Sequence, residues 1–324
     1  MTEKVFFNYI TISGYIDIVM ETVNYFKALS DQTRLRILKL LYKRELNVNE
    51  IVSILDMGQS RISRHLKILS DSFLISSRKD GLWVFYRACD SNFPGELKKL
   101  IDLKLEKEEP FSLDIVRLDK YIKERGEKGK EYFNSIAPDW KNIRAKILGN
   151  IDINSEIVKV TGICRCVADL GCGNGELVGQ LLVKSEKVIG VDRSPGMLEE
   201  AGKYLKSLGR EGFDLRLGEL AHLPVRDVET DCAVINMVLH YLDDPSAAVE
   251  EAGRIIKRGG RMVIADLENH RDESLRINYG HRWLGFSRET ILSWISMNGF
   301  SFKKSKSFNA ANGLNVVIYI AEKI

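Results

Sequence analysis

A chain of 324 residues with 44% hydrophobic and 29% charged side chains has room for two ordinary domains and the composition of a soluble protein. No apolar run reaches bilayer-spanning length, and the start, MTEKVFFNYI, lacks a cleavable leader pattern, so a cytoplasmic protein without membrane partners is expected. Five scattered cysteines read as reduced thiols and exclude a disulfide scaffold. The net charge of +3 conceals an asymmetry, because residues 31–90 carry 11 basic against 7 acidic side chains. A nucleic-acid-binding module concentrates positive charge in this way.

The spacing predicts an amphipathic helix from Tyr15 to Leu29, with Ile18, Val19, Val23, Phe26 and Leu29 on one stripe. Asp31 is placed to cap a second helix, TRLRILKLLYK, that buries Leu35, Leu38 and Leu41. Asn47 and Asn49 flank the start of a third, EIVSIL. A turn at Met57-Gly58 leads to QSRISRHLKILSD, where Ile62, Leu66 and Leu69 keep helical spacing. That leaves Gln59, Ser60, Arg61, Ser63, Arg64 and Lys67 on the other faces. His65, beside Leu66 on the packing side, is expected to orient the helix or cap a backbone group. A hairpin follows, Leu74 to Arg78 and Trp83 to Arg87 around a Lys79-Asp80-Gly81 turn.

Helix, turn, basic helix and basic hairpin form the layout of a winged helix-turn-helix. FKALSDQTRLRILKLL and SRISRHLKILSDSFLISSRKDGLWVFYR resemble the ArsR-type repressor family over about sixty residues. The resemblance implies a homodimer on double-stranded operator DNA, with Gln59, Ser60, Arg61, Ser63, Arg64 and Lys67 toward the groove and Lys79 at the wing. Metal-sensing relatives carry E-L-C-V-C near the third helix, whereas this chain reads Glu45-Leu46-Asn47-Val48-Asn49. Amides supply no thiolate ligands, so that route of metal sensing is absent.

Residues 1–92 are therefore expected to form the DNA-binding domain and 93–130 a charged helical linker or dimerisation segment, split at Pro110. Residues 131–324 follow as a second domain, opening with YFNSIAPDWKNIR. Its Tyr132, Phe133 and Trp140 are either an aromatic lid or the packed stripe of a helix.

The rest of that domain turns on Val167 to Leu177, VADLGCGNGEL. An apolar run closing on an acid reads as a buried strand, and Gly171, Gly173 and Gly175 at alternate positions read as a tight turn into a helix. Glycines allow a ligand close to the backbone, and a helix N-terminus favours negative charge. A second strand, Val188 to Val191, ends in Asp192, placed to accept from ribose hydroxyls. The third glycine comes one residue early for a dinucleotide fingerprint. D-L-G-C-G-N-G followed by V-D-R-S-P-G-M-L resembles instead the S-adenosyl-L-methionine (SAM) site of class I methyltransferases. That resemblance implies that Asp169, Gly171, Cys172, Gly173, Asn174 and Gly175 cradle the methionine part and Asp192 the ribose. It also implies Glu219 and Leu220 at the adenine, with Arg193, Met197, Asn236 and Tyr132 completing the cofactor set.

Further strands are expected at Phe213–Leu217, Asp231–His240, Arg261–Asp266, Phe300–Phe308 and Asn315–Ala321. A helix from Pro245 is expected to be stopped by Gly259 and Gly260. Alternating strands and helices imply an α/β, mostly parallel, doubly wound sheet. His240 falls at a strand end, either as a base for methyl transfer or as a packed histidine. Tyr241, His270, His281 and Trp283 are candidates for holding a small-molecule acceptor. Cys164 and Cys166, before the first strand, read as structural thiols, and no metal site is expected. Two functions remain open: a methyltransferase fused to a DNA-binding regulator, or a regulator that only senses SAM or S-adenosylhomocysteine (SAH). The N-M-V-L-H sequence is unlike the loops of DNA-base methyltransferases.

Overall fold

The computed structural model describes residues 22–90, 92–149 and 151–324, so the predicted helix from Tyr15 lies outside them up to residue 21. Two compact units emerge, Met1–Glu124 and Arg125–Ile324.

In the first unit, residues 22–29 are helical (α1), followed by α2 (Gln32–Lys43), β1 (Leu46–Asn47), α3 (Val48–Leu55) and α4 (Gln59–Asp71). The hairpin is β2 (Ile75–Asp80) and β3 (Trp83–Ala88), and α5 (Asn92–Leu105) and α6 (Phe111–Ile136) follow. Asp31 caps α2 by accepting from Arg34 N at 3.0 Å. Asn47 caps α3 through a reciprocal box, accepting from Glu50 N at 3.0 Å while Glu50 accepts from Asn47 N at 2.8 Å. The helix therefore starts at Val48, one residue before the second asparagine, because the box satisfies two amides at once.

The hairpin corrects the expected turn. Asp80 pairs with Trp83, so the loop is Gly81-Leu82, with Gly81 at φ 60°. A positive φ at the first loop residue matches the right-handed twist of the strands, and Lys79 becomes part of β2. The stretch 93–130 is helical apart from a turn at residues 106–110, and its Leu97, Ile101 and Leu118 join the first unit's core with Ile37, Leu66 and Leu69. Arg36 donates to both oxygens of the buried Asp114, at 2.6 and 2.7 Å. The unit boundary falls within α6, before the 130/131 boundary expected from composition.

The second unit adds α7 (Trp140–Leu148), α8 (Ile153–Thr161), β4 (Cys164–Leu170), α9 (Glu176–Leu181), β5 (Ser185–Asp192) and α10 (Pro195–Ser207). Next come β6 (Phe213–Leu217), β7 (Thr230–Asn236), α11 (Pro245–Ile255), β8 (Ile256–Leu267), α12 (Ser274–Tyr279), α13 (Arg288–Met297), β9 (Phe300–Asn309) and β10 (Asn315–Lys323). The sheet runs β6-β5-β4-β7-β8-β10-β9. Its first five strands are parallel and β10 runs antiparallel to both neighbours. This is the expected doubly wound α/β sheet behind a winged helix-turn-helix. Strand order reverses between β4 and β7, where ligands bind beyond the strand ends.

Two local expectations are corrected. Cys164 and Cys166 lie inside β4. The helix from Pro245 stops at Ile255, before the two glycines. Ile256 pairs with Thr230, pairing resumes at Arg261 with Cys232, and Lys257–Gly260 bulge between them. Lys323 Nζ donates to Gly253 O and Ile256 O at 2.8 and 2.7 Å, occupying carbonyls the helix leaves open.

Candidate functional site

The site begins with the loop between β4 and α9. Gly171, Gly173 and Gly175 all have positive φ. A Cβ on Gly171 would lie 2.7 Å from Val238 and one on Gly175 2.9 Å from Ala201. Turn geometry and close packing thus both demand glycine. Across the loop, Asp192 accepts from Gly173 N and Ser194 N, each at 2.9 Å. Burial raises its carboxyl above the ordinary range, while those two amides pull it back toward the charged form.

Loop and acid border a cleft whose empty space, part of it open to solvent, is about 780 Å³. Of the residues expected around a cofactor, Asp169, Gly171, Cys172, Gly173, Asn174, Asp192, Arg193, Met197, Leu220 and Asn236 line it. Gly175, Glu219 and Tyr132 do not. Gly175 caps α9, Glu219 is exposed in a bridge with His222, and the Tyr132 hydroxyl reaches Asn278 O at 3.5 Å.

One end of the cavity is charged and incomplete. Asp169 is 1% exposed, and neither of its oxygens has a hydrogen-bond partner among the described residues. Burial pushes its carboxyl up to about 7, with Asp192 adding to the rise and Arg144 opposing it. The Asn236 Oδ1 beside it also lacks a partner. Arg144 lines this end, donating to Asn154 Oδ1 at 2.7 Å and standing 3.7 Å from Glu176. A lone arginine in a helix gives no sequence signal. Its place in YFNSIAPDWKNIR, among candidate lid residues, was the available hint. Phe133, Trp140 and Tyr241, all partly exposed, also line the cavity, which makes the YFNSIAPDWKNIR segment a cavity wall and not only a packed stripe.

The histidines take a different place. His240 is 1% exposed and outside the cavity lining. Its Nδ1 lies 2.6 Å from Asp266 Oδ1, and Asp266 also accepts from Leu239 N and Leu267 N. His281 stacks on His240 at 4.1 Å between centroids, and burial holds its pKa far below the ordinary value. Burial lowers His270 too. The cover segment is stitched over this cluster, since Arg282 N and Trp283 N donate to His240 O at 2.8 and 3.1 Å. Trp283 Nε1 donates to Leu242 O at 2.7 Å. Of the acceptor candidates, Tyr241 alone lines the cavity, and His240 and His281 pack on its ring.

In the first unit, Gln59, Ser60, Arg61, Ser63, Arg64, Lys67 and Lys79 are all exposed. Arg61 donates to Thr33 Oγ1 at 3.1 Å, and Lys67 pairs with Asp71 one turn on at 3.1 Å. His65 is buried on the opposite side, its Nδ1 3.7 Å from the capping carboxylate of Asp31.

The family model described as "Bacterial regulatory protein, arsR family" matches residues 31–77, and that described as "Methyltransferase domain" matches residues 168–264. The arsenical resistance operon repressor of Escherichia coli (strain K12) is 43% identical over 81 residues, 25% of this chain and 68% of that protein. The arsenite methyltransferase of Halobacterium salinarum is 33% identical over 104 residues, 31% of this chain and 27% of that protein. The chain spans only 32%, 27% and 38% of the first three curated relatives it matches. Among solved structures, the cyclase SpnF matches with a TM-score of 0.52 and 15% identity, over 60% of this chain and 94% of its own, a likeness of fold alone.

Proposed function

This chain belongs to the arsR family of bacterial regulatory proteins and carries a methyltransferase domain behind its DNA-binding unit; from that premise we propose a transcriptional regulator that binds SAM and methylates a small molecule. The observation that carries the reading is the unpartnered, buried carboxylate of Asp169 facing a cavity floored by the glycine loop and Asp192. A buried carboxylate without a donor is costly by itself. The α-ammonium of an amino-acid ligand supplies the missing donors, and Asn236 Oδ1 adds a second acceptor. Arg144 is the group for the ligand's carboxylate, and Asp192 takes the ribose hydroxyls. Bound there, SAM supplies a methyl group on an electrophilic sulfonium. The residues' share is alignment and exclusion of water by Phe133, Trp140 and Tyr241.

His240, its Nδ1 held by Asp266, packs behind Tyr241 outside the cavity lining, so in this reading it positions Tyr241 and does not touch the acceptor. Its burial outside the cavity lining favours a second reading, in which the unit senses SAM or SAH without transferring a methyl. Exposed apolar pairs at Val23 and Phe26, Leu100 and Leu103, and Leu113 and Val116 support a homodimer through α1, α5 and the start of α6. We place the protein in the cytoplasm with its operator DNA.

Asp192→Ala tests the cofactor assignment. Losing the ribose acceptor is expected to weaken SAM binding by roughly 2 kcal/mol, read by calorimetry, and unchanged affinity would sink it. Methyl transfer to candidate acceptors, followed with labelled SAM, separates the enzyme from the sensor.

A further inference from the structure

Three rings meet edge to face on the cavity wall. Phe133 and Tyr241 have centroids 4.9 Å apart with planes at 90°, and Phe133 and Trp140 lie 5.8 Å apart at 71°. Trp140 also leans over the loop, where a Cβ on Gly173 would come 3.4 Å from the indole nitrogen. Leucines would line a pocket for a neutral apolar group equally well. Three rings set nearly perpendicular to their neighbours and lining one cavity offer a negative quadrupole, which attracts a compact cation bearing methyl groups.

The charges around the corner have the matching sign. His240 and His281 pack on Tyr241 at 4.2 and 4.8 Å. Burial keeps His281 neutral, and the Asp266 carboxylate lies behind His240. Asp169 faces the same cavity without a partner. Nearby cations are engaged, with Arg125 and Arg282 on Asp243 at 2.6 and 3.6 Å, Arg144 on Glu176 at 3.7 Å, and Arg193 donating to Gly126 O at 3.2 Å.

We propose that Phe133, Trp140 and Tyr241 form a cage for an onium group, so that this site selects its ligand by positive charge. The inference rests on the SAM reading and adds a selectivity to it. The onium comes either from the sulfonium of SAM, which SAH lacks, or from a methylated ammonium on the acceptor.

Calorimetry on the full chain distinguishes these sources. Phe133→Leu, Trp140→Leu and Tyr241→Leu keep apolar bulk and remove the ring face. If the sulfonium occupies the cage, the ratio of SAH to SAM dissociation constants falls roughly tenfold in these variants, while SAH still binds. Phe133→Tyr and Trp140→Phe then retain the ratio. If the acceptor supplies the charge, the ratio holds, and tetramethylammonium binds the SAM-loaded parent but not the leucine variants. Where one leucine variant loses both nucleosides, the other two carry the same comparison. An unchanged ratio together with no tetramethylammonium binding overturns the cage. Failure of the unaltered protein to bind either SAM or SAH overturns the SAM reading and the cage with it.

Discussion

Asp169 shows how one residue can set a pH dependence. Its carboxyl is pushed up to about 7 by burial, far above the ordinary value of about 3.9. The ligand-free fold therefore holds a proton that the unfolded chain releases. The stability tied to that proton is complete below about pH 4 and is lost as pH rises through about 7. Asp169→Asn stays neutral throughout, so its thermal midpoint should exceed the parent's at pH 8 and match it near pH 4. The same variant should bind SAM more weakly, since the ammonium loses its counter-charge. A midpoint at pH 8 equal to or below the parent's, by scanning fluorimetry, would contradict an unpaired carboxylate. The motif D-L-G-C-G-N-G made this acid visible as a cofactor contact. Nothing in it revealed the missing partner, which depends on what α7 and β7 bring alongside.

At the scale of elements, the proposed DNA contact divides between α4 and the β2–β3 hairpin. Arg64 is exposed on α4, and Lys79 lies near the tip of the hairpin. A side chain in the major groove reads bases, whereas one at the wing meets phosphate. Arg64→Ala should thus cost more on operator than on random DNA, by about 1–3 kcal/mol, and Lys79→Ala should weaken both alike. Equal losses on both DNAs for Arg64→Ala, in a salt-controlled binding assay, refute base reading by that residue. Helix spacing was enough to sort the exposed basic side chains from Ile62, Leu66 and Leu69. Lys-Asp-Gly reads locally as a turn, while cross-strand pairing of Asp80 with Trp83 confines the loop to Gly81-Leu82.

For the whole molecule, the question is whether the two functions communicate. The capping box of Asn47 and Glu50 stands where metal-sensing relatives carry thiolates, and the proposed entry for a signal is the cavity of the second unit. Ligand occupancy is expected to change operator affinity by a coupling of about 1–3 kcal/mol. By reciprocity, operator DNA should shift SAM affinity by the same factor. Fluorescence titrations of operator with and without saturating SAM, SAH and candidate acceptors measure it. Superimposable curves for every ligand mean that the domains are merely tethered.

What local sequence could decide is what short-range physics controls. Apolar periodicity marked the helices of the first unit, glycine spacing and a terminal acid marked the loop after β4, and strand–helix alternation implied the doubly wound sheet. Contacts distant in sequence decided the rest. Arg144 became a cavity residue because α7 folds over the strand ends, and His240 left the cavity because the 281–286 segment packs upon it. The methyltransferase resemblance implies Glu219 at the adenine, and the residue lies exposed in a bridge with His222. Ile256 left its helix because β7 offered it a partner. Each outcome balances burial against pairing between segments far apart in the chain, and no local pattern records that balance.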